Sequence, residues 1–295
     1  MKNTVFTGAA TAVVTPLNKN GVDYEAFERL IEWQISEGID AIVVAGTTGE
    51  GSTLTDEEHR QVLKFAVDKI AGRVPVIAGT GSNDTSYAID LTKYACSIGA
   101  DAMLVVTPYY NKATQNGLIK TFTAIADAST KPVILYNVPS RTGVNIKPET
   151  AAELAKLPRV NGIKEASGDL DQVAKIHELC GDELNIWSGN DDQIFDILER
   201  GGKGVISVLS NIAPKETHEI VASYLNGDKK TSKELMDKYV KLAKAMFVDV
   251  NPIPVKEAVS LIGFNAGPLR LPLIEMDESN KKYVKETMEE YGLVK

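Results

Sequence analysis

Eight short apolar runs, at residues 9–15, 41–45, 74–78, 102–107, 133–137, 160–165, 184–188 and 205–209, recur along the chain. They are rich in Val, Ile and Ala and show little strict alternation, the pattern of parallel strands covered on both faces. Helical spacing fills the gaps, and several helices have readable ends. Thr55-Asp56-Glu57-Glu58 predicts a capping box. Pro148-Glu149 places proline in a first turn, where its missing N–H costs nothing. The stretches from Asp23 to Gly38, Asp84 to Gly99 and Asp169 to Gly181 each run from an N-cap aspartate to a terminal glycine. Eight strand–helix units in about 225 residues predict an α/β fold, a (β/α)8 TIM barrel. The alternative is a doubly wound open sheet. Its phosphate-binding glycine fingerprint is absent after the first strand, where Thr15-Pro16-Leu17 stands.

The pattern changes after residue 226. The stretch 229–247 carries Leu235, Tyr239, Leu242 and Met246 on one helical face, and 254–262 and 278–291 predict two further helices. The expected division is a catalytic barrel over 1–226 and a helical region over 227–295 that packs on the barrel or on a partner subunit.

The chain has 295 residues, 43% hydrophobic and 24% charged, as a globular protein with ample core requires. Its 32 basic and 40 acidic residues give a net charge of −8, which argues against a sequence-independent nucleic-acid binder. A small anionic substrate stays open, since one cleft arginine suffices. Cys96 and Cys180 lack metal or redox spacing and are expected to be buried free thiols. His59, His177 and His218 fall on three different helices without zinc-ligand spacing, and Asp191-Asp192 lacks partners for a magnesium cage. No cofactor or metal is expected. The first residues show no secretory leader, and no run approaches the roughly 18–20 apolar residues of a membrane span. A cytoplasmic protein is expected.

Lys164 is the most informative polar residue, because it stands in the sixth apolar run, Val160-Asn161-Gly162-Ile163-Lys164-Glu165-Ala166. Burial disfavours an ammonium, and a neutral amine attacks carbonyl carbon to form a Schiff base. Strand alternation places Val160, Gly162, Lys164 and Ala166 on one face, with Gly162 leaving room for the lysine. A strand-end lysine can also snorkel to water with its stem on apolar surface. The other polar positions at strand ends decide between these readings, since barrel active sites lie at the carboxyl ends of the strands.

Run 2 ends in Gly46-Thr47-Thr48-Gly49-Glu50-Gly51, a turn whose N–H groups suit a carboxylate, although glycine turns with incidental threonines are common. Run 4 ends in Tyr109-Tyr110, and run 5 holds Tyr136 before Pro139-Ser140-Arg141-Thr142-Gly143. A phenol beside an amine can pass protons during imine formation. Arg141 is placed to bind a carboxylate in bidentate fashion; its plain alternative is a surface ion pair. Ser188-Gly189-Asn190-Asp191 ends run 7 at the same rim, while Gly201-Gly202-Lys203-Gly204 precedes run 8 at the opposite end and reads as a helix stop.

On these motifs the chain resembles the dihydrodipicolinate synthase/N-acetylneuraminate lyase family of Schiff-base aldolases over essentially its whole length. Gly46-Thr47-Thr48-Gly49-Glu50 is similar to the family's pyruvate-carboxylate loop, and Tyr136-Asn137-Val138-Pro139 with Gly162-Ile163-Lys164-Glu165 to its tyrosine–lysine core. Thr47 and the Arg141 stretch resemble the members that condense pyruvate with L-aspartate 4-semialdehyde rather than the sialic acid or keto-deoxy-sugar lyases. A non-catalytic keto-acid sensor is the rival of another class. The resemblance implies that Lys164 forms the imine and that Tyr136 moves protons with Thr47 and Tyr110, the last from a neighbouring subunit. It implies Thr48, the backbone at Ile206 and Gly189 around pyruvate, and Arg141 on the semialdehyde carboxylate. It also implies a homo-oligomer of at least two chains, with a tetramer built from two dimers favoured. Regulated members bind lysine between subunits with a histidine and an acidic residue. The matching positions here are Asp56 and Tyr87, although His59, Asn83 and Tyr109 fit, so weak or absent lysine inhibition is expected.

Overall fold

A computed structural model describes residues 2–294. Eight parallel strands close into a barrel: β1 (Gly8–Ala12), β2 (Ala41–Val44), β3 (Val76–Gly79), β4 (Ala102–Val106), β5 (Val133–Asn137), β6 (Val160–Glu165), β7 (Asn185–Ser188) and β8 (Gly204–Ser207). Each strand pairs with the next in chain order, and β8 returns to β1 with Gly8 opposite Gly204 and Thr11 opposite Ser207. The helices between them are α1 (Tyr24–Ser36), α2 (Asp56–Ile70), α3 (Thr85–Ser97), α4 (Gln115–Ala128), α5 (Pro148–Ala155), α6 (Leu170–Cys180), α7 (Ile194–Leu198) and α8 (Pro214–Leu225). The expected TIM barrel is therefore present. The caps form as predicted: the Thr55 hydroxyl accepts from the Glu58 amide and the Glu58 carboxylate from the Thr55 amide, while Asp23, Asp84 and Asp169 cap α1, α3 and α6.

Strand ends differ where side chains take over the backbone. β1 stops at Ala12 because the Val14 amide donates to the Asn211 side chain and Thr15 bonds the Gly49 carbonyl. β8 stops at Ser207 because the amides of Val208 and Leu209 both donate to the Asp191 carboxylate.

Apolar side chains fill two layers, one between strands and helices and one inside the barrel. Phe6 stacks on Trp187 inside, with ring centroids 5.1 Å apart. A register shift interrupts the β5–β6 ladder: Val133 faces Val160, but Ile134 faces Gly162. Asn161 is the extra residue, and it changes which side chains share a face. Val160 thus packs in the outer layer, while Lys164 and Ala166 point inward. The expected face is corrected for Val160. Gly162 is also reassigned, since a Cβ there would lie 2.4 Å from the Trp187 ring; it makes room for the tryptophan, not the lysine.

Three helices follow the barrel: α9 (Lys229–Ala245), α10 (Ile253–Leu261) and α11 (Glu278–Glu290). In α9 Met236, Leu242 and Ala243 are buried, and the Ser232 hydroxyl donates to the Ile220 carbonyl of α8 at 2.6 Å. Leu235 and Tyr239 are only partly covered, so the buried face is rotated from the expected one. Met246, just past the helix, is buried as expected. α10 is tied to the barrel by an ion pair between Lys256 and Glu50 at 2.6 Å, both side chains at most 2% exposed. Both cysteines are free, with Cys180 buried and Cys96 half-buried rather than buried.

Candidate active site

Tyr136, Lys164 and Trp187 are register partners across β5, β6 and β7 and form one row inside the barrel. The Lys164 ammonium lies 4.4 Å from the centroid of the Tyr136 ring, close enough for a cation–π contact. Its side chain is 5% exposed, so the amine does not snorkel to bulk water. Space for it comes from Gly189, where a Cβ would meet Ala166 Cβ at 2.6 Å and Lys164 Cε at 3.1 Å. The Gly189 amide is held by the Glu165 carbonyl at 2.8 Å, which fixes that close approach.

A cavity of about 510 Å³ opens beside this row, and Thr47, Tyr136, Val138 and Arg141 line it. Thr47 comes from the turn after β2, which is closed by bonds from the Glu50 amide to the Thr47 carbonyl and from the Gly51 amide to the Gly46 carbonyl. Thr48 does not line this cavity; it is buried, and its hydroxyl oxygen accepts from the Asn251 amide at 3.0 Å. Arg141 sits in a single helical turn, Pro139–Thr142, and donates to the Asn251 carbonyl at 3.0 Å. The loop expected to carry it is thus a turn that begins with proline.

Ile206 is buried in the interior layer on β8, opposite Ala10. Tyr110 is not brought to the cavity within one chain. Its backbone adopts a φ of 69°, and its side chain is 91% exposed.

Two buried carboxyls flank the row, and sequence reasoning assigned neither to it. The Glu165 side chain accepts from Asn137, the Ser167 amide and Gln172. Burial pushes its carboxyl up, and those bonds pull it back. Burial likewise raises Asp191, opposed by the Ser207 hydroxyl, the Leu209 and Val208 amides and the Lys164 charge. Among the described residues, three buried side-chain atoms lack a hydrogen-bond partner: Thr107 Oγ1, Asp191 Oδ1 and Asn251 Oδ1. All three residues belong to this rim. No group of three or more His, Cys, Asp or Glu is placed among the described residues to hold a metal ion.

A buried amine over a phenol, with threonines and an arginine around an adjoining cavity, is equipped for carbonyl chemistry on a carboxylate-bearing substrate. Residues 5–291 match the dihydrodipicolinate synthetase family. The chain belongs to that family. It is 54% identical over 292 residues to a 4-hydroxy-tetrahydrodipicolinate synthase of Thermoanaerobacter sp., covering 99% of this chain and 98% of the relative. A solved dihydrodipicolinate synthase superposes with a TM-score of 0.96 at 46% identity, covering 98% of this chain and 100% of the other. Another, described as a monomeric variant, gives 0.96 at 43% identity and covers 98% of each chain. Family membership accounts for the barrel. It leaves the role of each side chain to the geometry.

Proposed function

We infer that the chain is an enzyme of the family's synthase activity, condensing pyruvate with L-aspartate 4-semialdehyde to 4-hydroxy-tetrahydrodipicolinate in the diaminopimelate route to lysine. The relatives' names support this over a sugar-acid lyase. The observation that carries the mechanism is the Lys164 amine, buried and 4.4 Å from the Tyr136 ring.

In this reading the Lys164 amine attacks the ketone carbon of pyruvate, and loss of water gives a protonated imine. No cofactor is called on, since the iminium is the electron sink. A proton leaves the methyl carbon, and the resulting enamine attacks the aldehyde carbon. The semialdehyde's own amine then displaces Lys164 and closes the ring. Tyr136 passes protons in these steps, in relay with Thr47 and with Tyr110 of a second copy. Thr48, the backbone at Ile206 and Gly189 hold pyruvate. Arg141 takes the semialdehyde carboxylate in bidentate fashion.

The exposure of Tyr110 supports a homo-oligomer, with a tetramer built from two dimers as our reading. Among the described residues no helix is long and apolar enough to cross a membrane. A biosynthetic enzyme acting on small charged metabolites fits the cytoplasm.

Borohydride reduction in the presence of pyruvate tests the mechanism. Mass spectrometry should find the adduct on Lys164 and none in Lys164→Ala, which should keep a folded barrel. An unmodified Lys164 in active enzyme would defeat the assignment.

A further inference from the structure

Asn251 lies outside the eight strand–helix units, just ahead of α10, yet it touches two residues placed at the substrates' carboxylates. Its side-chain amide donates to Thr48 Oγ1 at 3.0 Å, and its carbonyl accepts from Arg141 Nη2 at 3.0 Å. The side chain is 6% exposed.

The direction of the first bond matters. A hydroxyl has one proton to give and two lone pairs to fill. Because Thr48 accepts from an amide, its own proton is left for another acceptor, and the accepted bond polarises the O–H. The reverse arrangement would give that proton to residue 251. The second bond fixes one edge of the Arg141 guanidinium and leaves its other donors for a ligand.

The geometry is held rigidly from behind. Lys256, five residues on, pairs with Glu50 at 2.6 Å and donates to the Pro268 carbonyl at 2.7 Å. The second Glu50 oxygen accepts from the Arg270 amide at 3.1 Å. The loop that carries Thr48 and the segment that carries Asn251 are thus joined as one piece.

We propose that Asn251 is a positioning residue of the condensation site: its side chain orients the Thr48 hydroxyl as a donor to pyruvate, while its backbone carbonyl, which side-chain substitution leaves in place, anchors Arg141 for the second substrate. This rests on the reading of function above. It makes the post-barrel region part of the active site.

The test is steady-state kinetics of Asn251→Ala and Asn251→Asp, alone and combined with Thr48→Val. Aspartate keeps the shape but can only accept, so Thr48 would turn its proton away from the ligand. Both single variants should raise KM for pyruvate about three- to ten-fold, the effect of one hydrogen bond, with kcat and KM for the semialdehyde little changed. In the Thr48→Val background neither change should raise it further. Unchanged KM in the folded single variants, or an equal rise in the Thr48→Val background, would overturn the proposal; the second result would point to packing or charge. Should the alanine variant unfold, the aspartate variant decides. Wild-type enzyme that forms no reducible pyruvate adduct would remove the reading of function. An adduct with unchanged KM in the variants would remove only the role of Asn251.

Discussion

Lys164 and Tyr136 face each other because they are register partners on adjacent parallel strands, with the ammonium 4.4 Å from the ring centroid. Backbone pairing, not a flexible loop, sets this contact, so each residue can be altered without losing the other's position. Tyr136→Phe keeps the ring beneath the amine and removes only the hydroxyl. We expect kcat to fall about 10²–10⁴-fold, the range for one proton-transfer group, while borohydride still traps pyruvate on Lys164. A near-normal kcat would assign the proton relay elsewhere.

Gly189 tests the packing around that amine. An added Cβ would lie 3.1 Å from Lys164 Cε and 2.6 Å from Ala166 Cβ, and the backbone cannot retreat while the Gly189 amide is bonded to Glu165. Overpacking of this kind costs about 1–3 kcal/mol. Gly189→Ala should therefore fold with a lowered Tm and form the pyruvate adduct slowly. Unaltered adduct formation, followed by mass spectrometry against time, would show that Lys164 has more freedom than the contacts allow.

The contrast between Gly189 and Gly162 shows what the chain made legible. Strands covered on both faces read as apolar runs, so all eight were found, and a lysine among them stood out. The face of Val160 is misread because the bulge at Asn161 is a backbone event, and Gly162 beside it reads as space for a side chain rather than as a break in register. The cap and turn residues were local and were found. Asn251 was not, because its contact with Thr48 spans 203 residues of chain. The pairing of Lys256 with Glu50 is hidden for the same reason, since 206 residues of chain separate them.

Acid stability should depend on the amino end of α2. Arg270 holds Glu58 down, from an ordinary 4.5 to about 2. Burial lowers His59, whose ring nitrogen Nε2 lies 2.9 Å from the Gly79 carbonyl. Both groups bind protons more weakly folded than unfolded, so their stabilisation is complete above the unfolded values. It is lost as pH falls, first for His59 below 6.5 and then for Glu58 between 4.5 and about 2. Urea unfolding from pH 7 downward should show stability declining in two legs. Arg270→Met should flatten the lower leg and leave the upper one. A lower leg that is unchanged in this variant would mean another carboxylate produces it.

Lysine should inhibit this enzyme weakly or not at all. The resemblance places a regulatory ammonium near the amino ends of α2 and α3, where Asp56 and Tyr87 stand in place of a histidine and an acidic residue. Asp56 is a carboxylate, but it is already engaged. Both its oxygens accept from Arg60 Nε at 2.9 and 3.0 Å, and Arg60 and the Tyr87 hydroxyl together hold its carboxyl low. Burial and Asp56 in turn push the Tyr87 phenol up to about 12, so it stays protonated and offers no charge. An arriving ammonium would have to displace Arg60, which is also paired with Asp90 and lies 4.9 Å over the Tyr94 ring. A missing charge-assisted bond is worth about 1.5–3 kcal/mol, enough to weaken a ligand roughly ten- to hundred-fold. Turnover should therefore hold in millimolar lysine, and Tyr87→Glu combined with Asp56→His should gain inhibition. Strong inhibition of the unaltered enzyme would mean that lysine finds its carboxylate elsewhere.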